Sequence, residues 1–501
     1  MPTATAPILD FVEQRYPGAG QAAAQGVNAA CATLFQRLYR DDPVGFVRDC
    51  FRWKVGEGPT KYQRDSMQEL LTHRRLALRG PHGLGKTAEL AWIVLWFALT
   101  RDGQDWKAIT TASAWRQLTH YLWPEIHKWA RRLRWDRVGR AEFDERTELL
   151  QLNLKLNTGE AFAAASDRSE TIEGAHADHL LYILDEAKTI PAATFDAVEG
   201  ALLTGDCYAI TVSTPGEPQG RFYEIHARRA GLEDWHTRHV TLAECIEAGR
   251  VPADRAEQRR KQWGENSAVY QNRVLGEFAS SEEDGVIPLA WIEAANARWQ
   301  ALEESGEWGP LTRLGIDVAR GGEDSNVIAY RHGRAIRRLR HPDGEPGFAK
   351  GDTMSLVGLV KAALTNGGEA SIDLIGVGAG AYDRLREQGL PVRGFNASAH
   401  TDMRDRSGEF GFVNVRSAGW WNLREMLDPA SGEDLALPPD DLLIGDLTAP
   451  HWRIASAGRI QVEAKDDIKK RLHRSTDDGD AVVMAMWEEM VVKAEFWGML
   501  V

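Results

Sequence analysis

The stretch Leu76–Trp92, LALRGPHGLGKTAELAW, decides the fold of the N-terminal half of this protein. It begins with a short apolar run that predicts a buried strand, and it ends in a pattern that predicts a helix. Between them, Gly80–Thr87 fits G-x-x-x-x-G-K-[ST], the loop that binds nucleotide phosphates. Because this motif is most specific between a strand and a helix, the sequence predicts a nucleoside triphosphate site.

Five residues of the loop have predicted roles at that site. Gly80, Gly83 and Gly85 let the backbone turn its N–H groups toward the phosphates, and the start of the helix adds its positive dipole end. Lys86 is predicted to contact the β- and γ-phosphates, and Thr87 to bind magnesium through its hydroxyl. A chance glycine-rich turn is the alternative interpretation, but it leaves the flanking strand and helix unexplained.

A second motif completes the predicted hydrolysis site. The run HLLYILDEAK is apolar and ends in an acidic pair, in which Asp185 is predicted to hold magnesium and Glu186 to orient and deprotonate the attacking water. Two weaker features agree with it. The amide of Gln63 is predicted to pair with the adenine edge, and Thr214, in ITVSTPG, to sense the γ-phosphate. This order is typical of a helicase-like P-loop ATPase, so ATP with Mg²⁺ is the predicted cofactor.

The composition is that of an ordinary globular protein. The chain has 501 residues, of which 43% are hydrophobic and 27% charged, and this length allows two or three domains. The net charge of −13 argues against a generally basic, DNA-coating protein, although local basic grooves remain compatible with it. The four cysteines form no C-x-x-C pair, and no apolar run is long enough for a membrane span. We therefore expect an intracellular protein without a signal peptide.

Apolar and turn-forming segments predict two α/β domains. A helical segment is expected over residues 1–50 and a P-loop domain over 51–278, with a helical, strand-free lid at about 220–275. The polar stretch ASSEEDGVIP predicts a linker over 279–288, and a second α/β pattern fills 289–501. The strands predicted around the phosphate loop are Arg75–Arg79, Lys107–Thr111, Leu180–Leu184 and Tyr208–Ser213.

The second α/β pattern carries four aspartates in unusual places. Asp317 and Asp373 lie within apolar strand patterns, where a lone carboxylate is costly to bury unless it is paired or metal-bound. Asp477 and Asp480 begin an apolar helix on one face, and either is a plausible metal ligand or a helix cap. Such carboxylates would repel one another without cations. We therefore predict an RNase H-like nuclease site with two Mg²⁺ or Mn²⁺ ions.

The two motif sets in one chain resemble the large terminase subunit of tailed bacteriophages. The resemblance covers nearly the whole chain beyond the N-terminal helical segment. It is carried by the phosphate loop together with LLYILDEA, VSTPG, YQNRVLGEFAS, GIDVARGGEDS, IDLIGVGAGAYDRL, FVNVRSAGWW and STDDGDAVV. It implies a RecA/helicase-like P-loop ATPase domain joined to an RNase H-like nuclease domain. The implied function is a motor that pumps double-stranded DNA into a prohead with ATP and cuts concatemeric DNA.

The resemblance also implies partners and a location. These are double-stranded DNA, the portal protein ring and a small terminase subunit, with a homo-oligomer, a pentamer, on the prohead in the host cytoplasm. One position departs from the family pattern, because His82 stands where some members carry an arginine. A charge-stabilising arginine would then come from a neighbouring subunit, with Arg168 as the first candidate and Arg116 and Arg146 as alternatives.

Two other functions compete with this interpretation. A helicase–nuclease of DNA repair or anti-phage defence would bring an additional helicase core domain with its own arginine motifs, and the sequence shows no second such domain. A non-catalytic scaffold regulated by nucleotide predicts that the carboxylates are dispensable. It leaves unexplained why two acidic sets occur in the order that two active sites require.

Overall fold

The computed structural model describes residues 27–166, 172, 174–202, 206–280, 284–319, 325–346, 348–349, 351–455 and 458–488. The chain divides into two compact units. The first extends to Ala256 and resumes over Gln271–Ala279, and the second comprises Glu257–Tyr270 and the chain from Ser280 onward. None of the helices in the described ranges combines the length and apolar character that a membrane-spanning segment needs.

The first unit is built on one eight-stranded sheet. Its strands are β1 Arg75–Arg79, β2 Trp106–Ala112, β3 Leu149–Leu150, β4 Asn153–Lys155, β5 Gly159–Ala163, β6 His179–Asp185, β7 Asp206–Ser213 and β8 His236–His239. They are ordered β3-β4-β5-β2-β6-β7-β1-β8. The six neighbouring strands β5, β2, β6, β7, β1 and β8 run parallel to one another. At the other end of the sheet, β4 pairs antiparallel with β5, and β3 pairs antiparallel with β4. The carboxyl ends of β1, β6 and β7 therefore meet at one edge.

Helices cover both faces of this sheet. The helices of this unit are Val27–Tyr39, Pro43–Cys50, Lys61–His73, Lys86–Arg101, Trp115–Gln117, Trp123–Ala130, Trp135–Val138, Ala192–Ala201, Gly220–His226 and Leu242–Glu247, with a 3₁₀ turn at Ala187–Thr189 and π-helical turns at Leu118–Leu122 and Gln271–Leu275. A further helix, Ala253–Trp263, begins in this unit and ends in residues of the second. The helix after the phosphate loop is buried from Glu89 to Arg101. A helix that is buried on all sides needs cover on the side that faces away from the sheet.

The first two helices, Val27–Tyr39 and Pro43–Cys50, lie in the predicted helical segment over residues 1–50 and provide that cover. Phe46 belongs to the same buried cluster as Trp96, and the Trp96 indole donates a hydrogen bond to the Tyr39 carbonyl at 2.6 Å. The described N-terminal helices are therefore part of the core of the first unit.

Two predicted features need correction. The lid at about 220–275 contains β8, which pairs with β1; its residues, HTRH, are polar and half-buried and show no apolar alternation. The end of the predicted lid, Glu257–Tyr270, belongs to the second unit. The predicted linker is also packed in part, because Val286 and Ile287 are buried and the Val286 N–H donates to the Pro450 carbonyl at 2.9 Å.

The second unit contains a five-stranded and a three-stranded sheet. The strands are β9 Arg313–Asp317, β10 Val327–His332, β11 Ala335–Arg340, β12 Glu369–Asp373, β13 Val392–Phe395, β14 Gly411–Phe412, β15 Trp452–Ala455 and β16 Arg459–Val462. The larger sheet is ordered β11-β10-β9-β12-β13, and β10 runs antiparallel to both neighbours. Counted within the unit, this is the order 3-2-1-4-5 with the second strand reversed. It agrees with the predicted RNase H-like fold.

Helices pack around these two sheets. They are Ala268–Tyr270, Leu289–Ser305, Thr353–Ala363, Gly378–Glu387, Val415–Leu427, Asp441–Thr448, Lys465–Leu472 and Asp477–Met486, with 3₁₀ turns at Pro342–Gly344, Leu364–Asn366 and Pro429–Ser431. The last helix crosses β9 closely at Gly315. A β-carbon there would lie 2.0 Å from the Ala481 carbonyl oxygen and 2.4 Å from the Ala485 nitrogen, so only glycine fits. This close crossing brings the start of the helix toward Asp317.

Candidate functional site

The phosphate loop joins β1 to the helix Lys86–Arg101, as the sequence predicts. Gly83 and Gly85 have φ values of 82° and 89°, in the left-handed region where a side chain is strained. Gly80 is needed for space, because a β-carbon there would lie 2.6 Å from the Leu84 side chain. The predicted metal ligand Thr87 is half-buried on the first turn of the helix. The local sequence thus explains how the loop turns.

Lys86 already contacts the end of β7. Its ammonium donates a hydrogen bond to the Thr214 hydroxyl at 2.7 Å. Burial lowers the pKa of Lys86, while the charges of Glu186 and Asp185 oppose that shift. Lysine, threonine and the acidic pair therefore converge at the edge where β1, β6 and β7 end.

The acidic pair occupies the end of β6. Asp185 is 1% exposed and accepts hydrogen bonds from the Glu186 N–H at 3.0 Å and from the Gln117 amide at 3.3 Å. Burial and then the neighbouring Glu186 raise the pKa of Asp185 to about 7, against the charge of Lys86. Glu186 has a φ of 47° and accepts a hydrogen bond from the Ser213 hydroxyl at 3.2 Å. Left-handed backbone at a residue other than glycine is often held in place at functional sites.

Gln63 contacts the phosphate loop, and its pairing with adenine stays a prediction. It is fully buried, and its amide oxygen accepts hydrogen bonds from the Thr60 N–H at 2.9 Å and hydroxyl at 3.0 Å. Its amide nitrogen donates to the Gly85 carbonyl at 3.2 Å. Thr60 and Gln63 form a capping box, a signal visible in the sequence as T-x-x-Q.

A segment distant in the sequence forms one wall of the phosphate loop. The His82 N–H donates to the Arg273 carbonyl at 2.9 Å, while the His82 side chain is exposed. A β-carbon at Gly276 would lie 2.6 Å from the Gly80 α-carbon, so these backbones require glycine to approach. The motif YQNRVLGEFAS contains this wall, although its contact with the loop was not predicted.

The candidate charge-stabilising arginines remain predictions. Arg168 lies outside the described residues. Arg116 precedes Gln117, whose amide contacts Asp185, and Arg146 is exposed. Gln117 was not predicted, because a lone glutamine beyond β2 carries no motif.

In the second unit, one lysine lies among three of the four predicted carboxylates. The Lys465 ammonium is 2.6 Å from Asp317, 3.0 Å from Asp477 and 3.1 Å from Asp480. Asp317 ends β9, the two other aspartates lie on the first turn of the last helix, and Lys465 begins the helix before it. Lys465 was not predicted, because its sequence context, AKDD, resembles an ordinary charged helix start.

The electrostatics of this group favour cations. Burial and the neighbouring carboxylates raise the pKa of Asp317 to about 8, against the opposing charge of Lys465. Although burial lowers it, the pKa of Lys465 is raised well above its ordinary value by the three carboxylates, so the side chain is protonated. The three carboxylates thus share the ammonium, and Asp480 also pairs with the Arg416 guanidinium, so that with Asp373 nearby the acidic side chains outnumber the cations. A purely oxygen donor set with excess negative charge fits Mg²⁺ or Mn²⁺.

The Lys465 ammonium occupies the position between the carboxylates where a metal ion would bind. Among the described residues, no three acidic, histidine or cysteine side chains are arranged as a ready-made metal site. The position between the carboxylates is filled by Lys465 instead. Metal ions would therefore have to compete with the ammonium for the same oxygen atoms.

Asp480 is the most firmly held of the four carboxylates. It accepts hydrogen bonds from Arg416 at 2.5 Å, from the Trp420 indole at 3.1 Å and from the Thr476 hydroxyl at 3.0 Å. Burial would raise its pKa, but Arg416 and then Lys465 hold the pKa of Asp480 at about 2. Arg416 lies in the motif FVNVRSAGWW, where no role was predicted for it. Asp480 is therefore ionised across the physiological pH range.

Asp373 lies at the rim of the group. It ends β12, which pairs in parallel with β9, so its backbone is level with Asp317. Its carboxylate accepts a hydrogen bond from the Ile375 N–H at 2.9 Å. Burial raises the pKa of Asp373, with opposing contributions from that N–H and from Lys465. The structure thus brings three predicted carboxylates onto one cation and places the fourth beside them.

Comparison with known proteins gives one informative sequence match. No family model matches the chain. The chain is 27% identical over 352 residues to the "Probable terminase, large subunit" of Enterobacteria phage P7, covering 65% of this chain and 67% of that protein.

Two solved structures are also similar. The large terminase of a thermophilic bacteriophage is 12% identical, with a TM-score of 0.40 over 85% of this chain and 98% of that one. The nuclease domain of the large terminase subunit gp2 of bacterial virus Sf6 is 19% identical, with a TM-score of 0.34 over 41% of this chain and 99% of that one. The chain is thus similar in sequence to a protein named as a probable large terminase subunit of a bacteriophage.

Proposed function

We propose that the protein is a viral DNA-packaging motor subunit. It hydrolyses ATP to translocate double-stranded DNA into a prohead and cleaves concatemeric DNA as a metal-dependent endonuclease. The observation that carries the proposal is the presence of two separate acidic sites in one chain, each at the carboxyl ends of strands of its own sheet. The similarity to a protein named as a large terminase subunit supports this combination.

At the first site, the residues are placed for phosphoryl transfer to water. Bound ATP and its magnesium would supply the transferable phosphate and neutralise its charge. The N–H groups of Gly80–Thr87 would bind the phosphates, Thr87 and Asp185 would hold the metal, and Glu186 would accept a proton from water. Lys86 would exchange the Thr214 hydroxyl for phosphate oxygens, which would connect nucleotide occupancy to the end of β7.

An arginine supplied from outside the site would complete the hydrolysis reaction. The hydrogen-bond partners of the Lys86 and Glu186 side chains, the hydroxyls of Thr214 and Ser213, are neutral. Arg168 of a neighbouring subunit remains the proposed source of the stabilising positive charge, with Arg116 and Arg146 as alternatives.

At the second site, the residues are placed for metal-dependent cleavage of a phosphodiester. Two Mg²⁺ or Mn²⁺ ions would activate the attacking water and stabilise the leaving oxygen. Asp317, Asp373, Asp477 and Asp480 would hold them. Arg416 and Trp420 fix the orientation of Asp480 before any metal arrives. Lys465 would give up its contacts with the carboxylates, which makes metal binding depend on displacing one ammonium.

The proposal extends to domains, partners and location. We assign the first compact unit as the ATPase domain and the second as the nuclease domain. The proposed partners are the portal protein ring, a small terminase subunit and further copies of the chain, forming a pentamer on the prohead. The proposed location is the host cytoplasm during phage assembly.

The purified full-length chain provides the test. We expect ATPase activity that double-stranded DNA stimulates, and plasmid cleavage that requires Mg²⁺ or Mn²⁺ and stops when EDTA is added. A strand-displacement assay on a forked duplex distinguishes the helicase–nuclease alternative, since a translocase of intact duplex releases no strand. ATP-dependent strand release would contradict the packaging function, and absence of metal-dependent cleavage would contradict the nuclease assignment.

A further inference from the structure

The helix that carries two nuclease carboxylates lacks a cap from its own N-terminal residue. The first turn of a helix has free N–H groups, and the preceding residue usually satisfies one of them. Thr476 precedes the helix Asp477–Met486 but makes no side-chain capping hydrogen bond. Its hydroxyl donates to Asp480 at 3.0 Å instead. The usual capping group is therefore used to orient a site carboxylate.

A carboxylate from another helix takes over the cap. One oxygen of Asp446 accepts hydrogen bonds from the N–H groups of Asp478 at 3.0 Å and Gly479 at 3.1 Å. Asp446 lies on Asp441–Thr448 and is 2% exposed. A negative charge at this position also complements the helix dipole. The start of the last helix is thus held by a residue that the sequence motifs do not include.

Asp446 is itself held in place. Its second oxygen pairs with Arg474, whose guanidinium also donates to the Gln262 carbonyl at 2.7 Å and to the Ser475 carbonyl at 3.0 Å. A β-carbon at Gly479 would lie 3.1 Å from the Asp446 β-carbon, so the two helices approach closely only because of glycine. The capping carboxylate therefore has little freedom to move.

We propose that Asp446 is a positioning residue of the nuclease site. By capping the first turn, it fixes the backbone from which Asp477 and Asp480 contact Lys465 and would hold the proposed metals. This inference rests on the proposed nuclease function. Groups that orient metal ligands without touching the metal commonly change metal affinity or activity by about 10- to 100-fold when removed.

The test uses Asp446→Ala and Asp446→Asn in the full-length chain. Mn²⁺ binding is measured by titration calorimetry, and the Mn²⁺ concentration for half-maximal plasmid cleavage is measured on the same preparations. We expect Asp446→Ala to weaken both by about tenfold or more. Asp446→Asn should have a smaller effect, because its amide oxygen still accepts the two N–H groups while the pairing with Arg474 is lost.

Asp352 provides a matched control. As the N-cap residue of the helix Thr353–Ala363, it also accepts hydrogen bonds from two first-turn N–H groups on one carboxylate oxygen, those of Met354 at 3.0 Å and Ser355 at 3.1 Å. That helix carries none of the proposed metal ligands. Asp352→Ala should lower the melting temperature and leave Mn²⁺ binding unchanged. If Asp446→Ala behaves in the same way, Asp446 is only a helix cap and the inference is overturned.

The outcomes separate this inference from the function on which it rests. A wild-type chain that neither binds Mn²⁺ nor cuts DNA rejects the nuclease function itself. A wild-type chain that does both, with wild-type Mn²⁺ binding in the Asp446 variants, rejects only the positioning role. If Asp446→Ala does not fold, Asp446→Asn decides through the smaller loss expected from its broken pairing with Arg474, which anchors the cap: Mn²⁺ binding equal to wild type in that variant overturns the inference.

Discussion

Both acidic sites contain a lysine, and the two lysines have opposite surroundings. Lys86 contacts a neutral hydroxyl, that of Thr214, whereas Lys465 contacts three carboxylates. The charge of Lys86 is therefore available to an incoming anion. The charge of Lys465 is already outnumbered, so its site is arranged to receive more cations. The immediate partner of the lysine, rather than the presence of acidic residues, distinguishes a phosphate site from a metal site.

The pKa values of the two lysines are shifted in opposite directions, as their different partners lead one to expect. Burial lowers the pKa of Lys86, so bound phosphate would relieve the cost of its charge. Despite burial, the carboxylates raise the pKa of Lys465 well above its ordinary value. Phosphate binding should therefore stabilise the first unit. In the second unit, metal ions should compete with the Lys465 ammonium for the carboxylates.

Reciprocal variants should have the largest effects. Asp317→Asn is expected to lower plasmid cleavage by orders of magnitude, because an amide replaces a carboxylate that would bind the metals. Lys86→Ala is expected to abolish ATP binding and turnover, because the contact with the β- and γ-phosphates is lost. Each variant should leave the other activity near the wild-type rate, measured on one preparation. Loss of both activities in either variant would mean that the two sites are not separate.

Glu186→Gln tests the acidic pair of the first site alone. We expect ATP to bind with near wild-type affinity while turnover falls by roughly 10²- to 10⁴-fold, the usual contribution of a general base. Fluorescent-nucleotide binding and steady-state phosphate release are the two measurements. Glu199→Gln, which changes a carboxylate that pairs with Arg75 away from the loop, is the control. Wild-type turnover in Glu186→Gln would remove Glu186 as the base.

Lys465→Ala tests the competition at the second site. Removing the ammonium should lower the melting temperature without metal, because Asp317 and Asp477 lose their counter-ion while Asp480 keeps Arg416. It should also reduce the Mn²⁺ concentration at half-saturation several-fold, since no cation must be displaced. Lys470→Ala, on the exposed face of the same helix, is the control. Weaker Mn²⁺ binding in Lys465→Ala would show that the lysine supports the metals rather than competing with them.

Glu89 extends the comparison to a buried carboxylate whose hydrogen-bond partner is neutral. That partner is the Ser66 hydroxyl, and burial raises the pKa of Glu89 from 4.5 to about 8. Between these pH values the folded state binds more protons than the unfolded state. Its contribution to stability is therefore fully present below about pH 4.5 and is lost as the pH rises toward 8.

Glu89→Gln should remove this pH dependence and have the smallest effect of the set. We expect a melting temperature several degrees above wild type at pH 8 and close to wild type at pH 4.5, on the order of a few kcal/mol in unfolding free energy at the higher pH. Thermal unfolding at several pH values measures it. An equal change at both pH values would mean that Glu89 is ionised when folded.

Much of the first unit could be predicted because its signals are local. The predicted strand Arg75–Arg79 is β1, and the three other predicted strands lie within β2, β6 and β7. A buried parallel strand is a continuous apolar run, and a phosphate loop needs glycine at particular backbone angles. Both requirements are met by neighbouring residues. The polar strand β8 was missed because pairing with β1, not an apolar pattern, holds it in the sheet.

The partners of each charged group were decided only by the tertiary structure. Motif and strand pattern predicted Lys86, Asp185 and Asp317 as site residues from the sequence. The sequence gives no sign that Lys465 lies among Asp317, Asp477 and Asp480, or that Gln63 braces Gly85. These contacts join residues that are far apart along the chain, and they form only when helices pack on the sheets. Local residue types determined which chemistry is possible, and the packing determined which charge stands beside which, because electrostatic interactions depend on distance in space and not on distance in sequence.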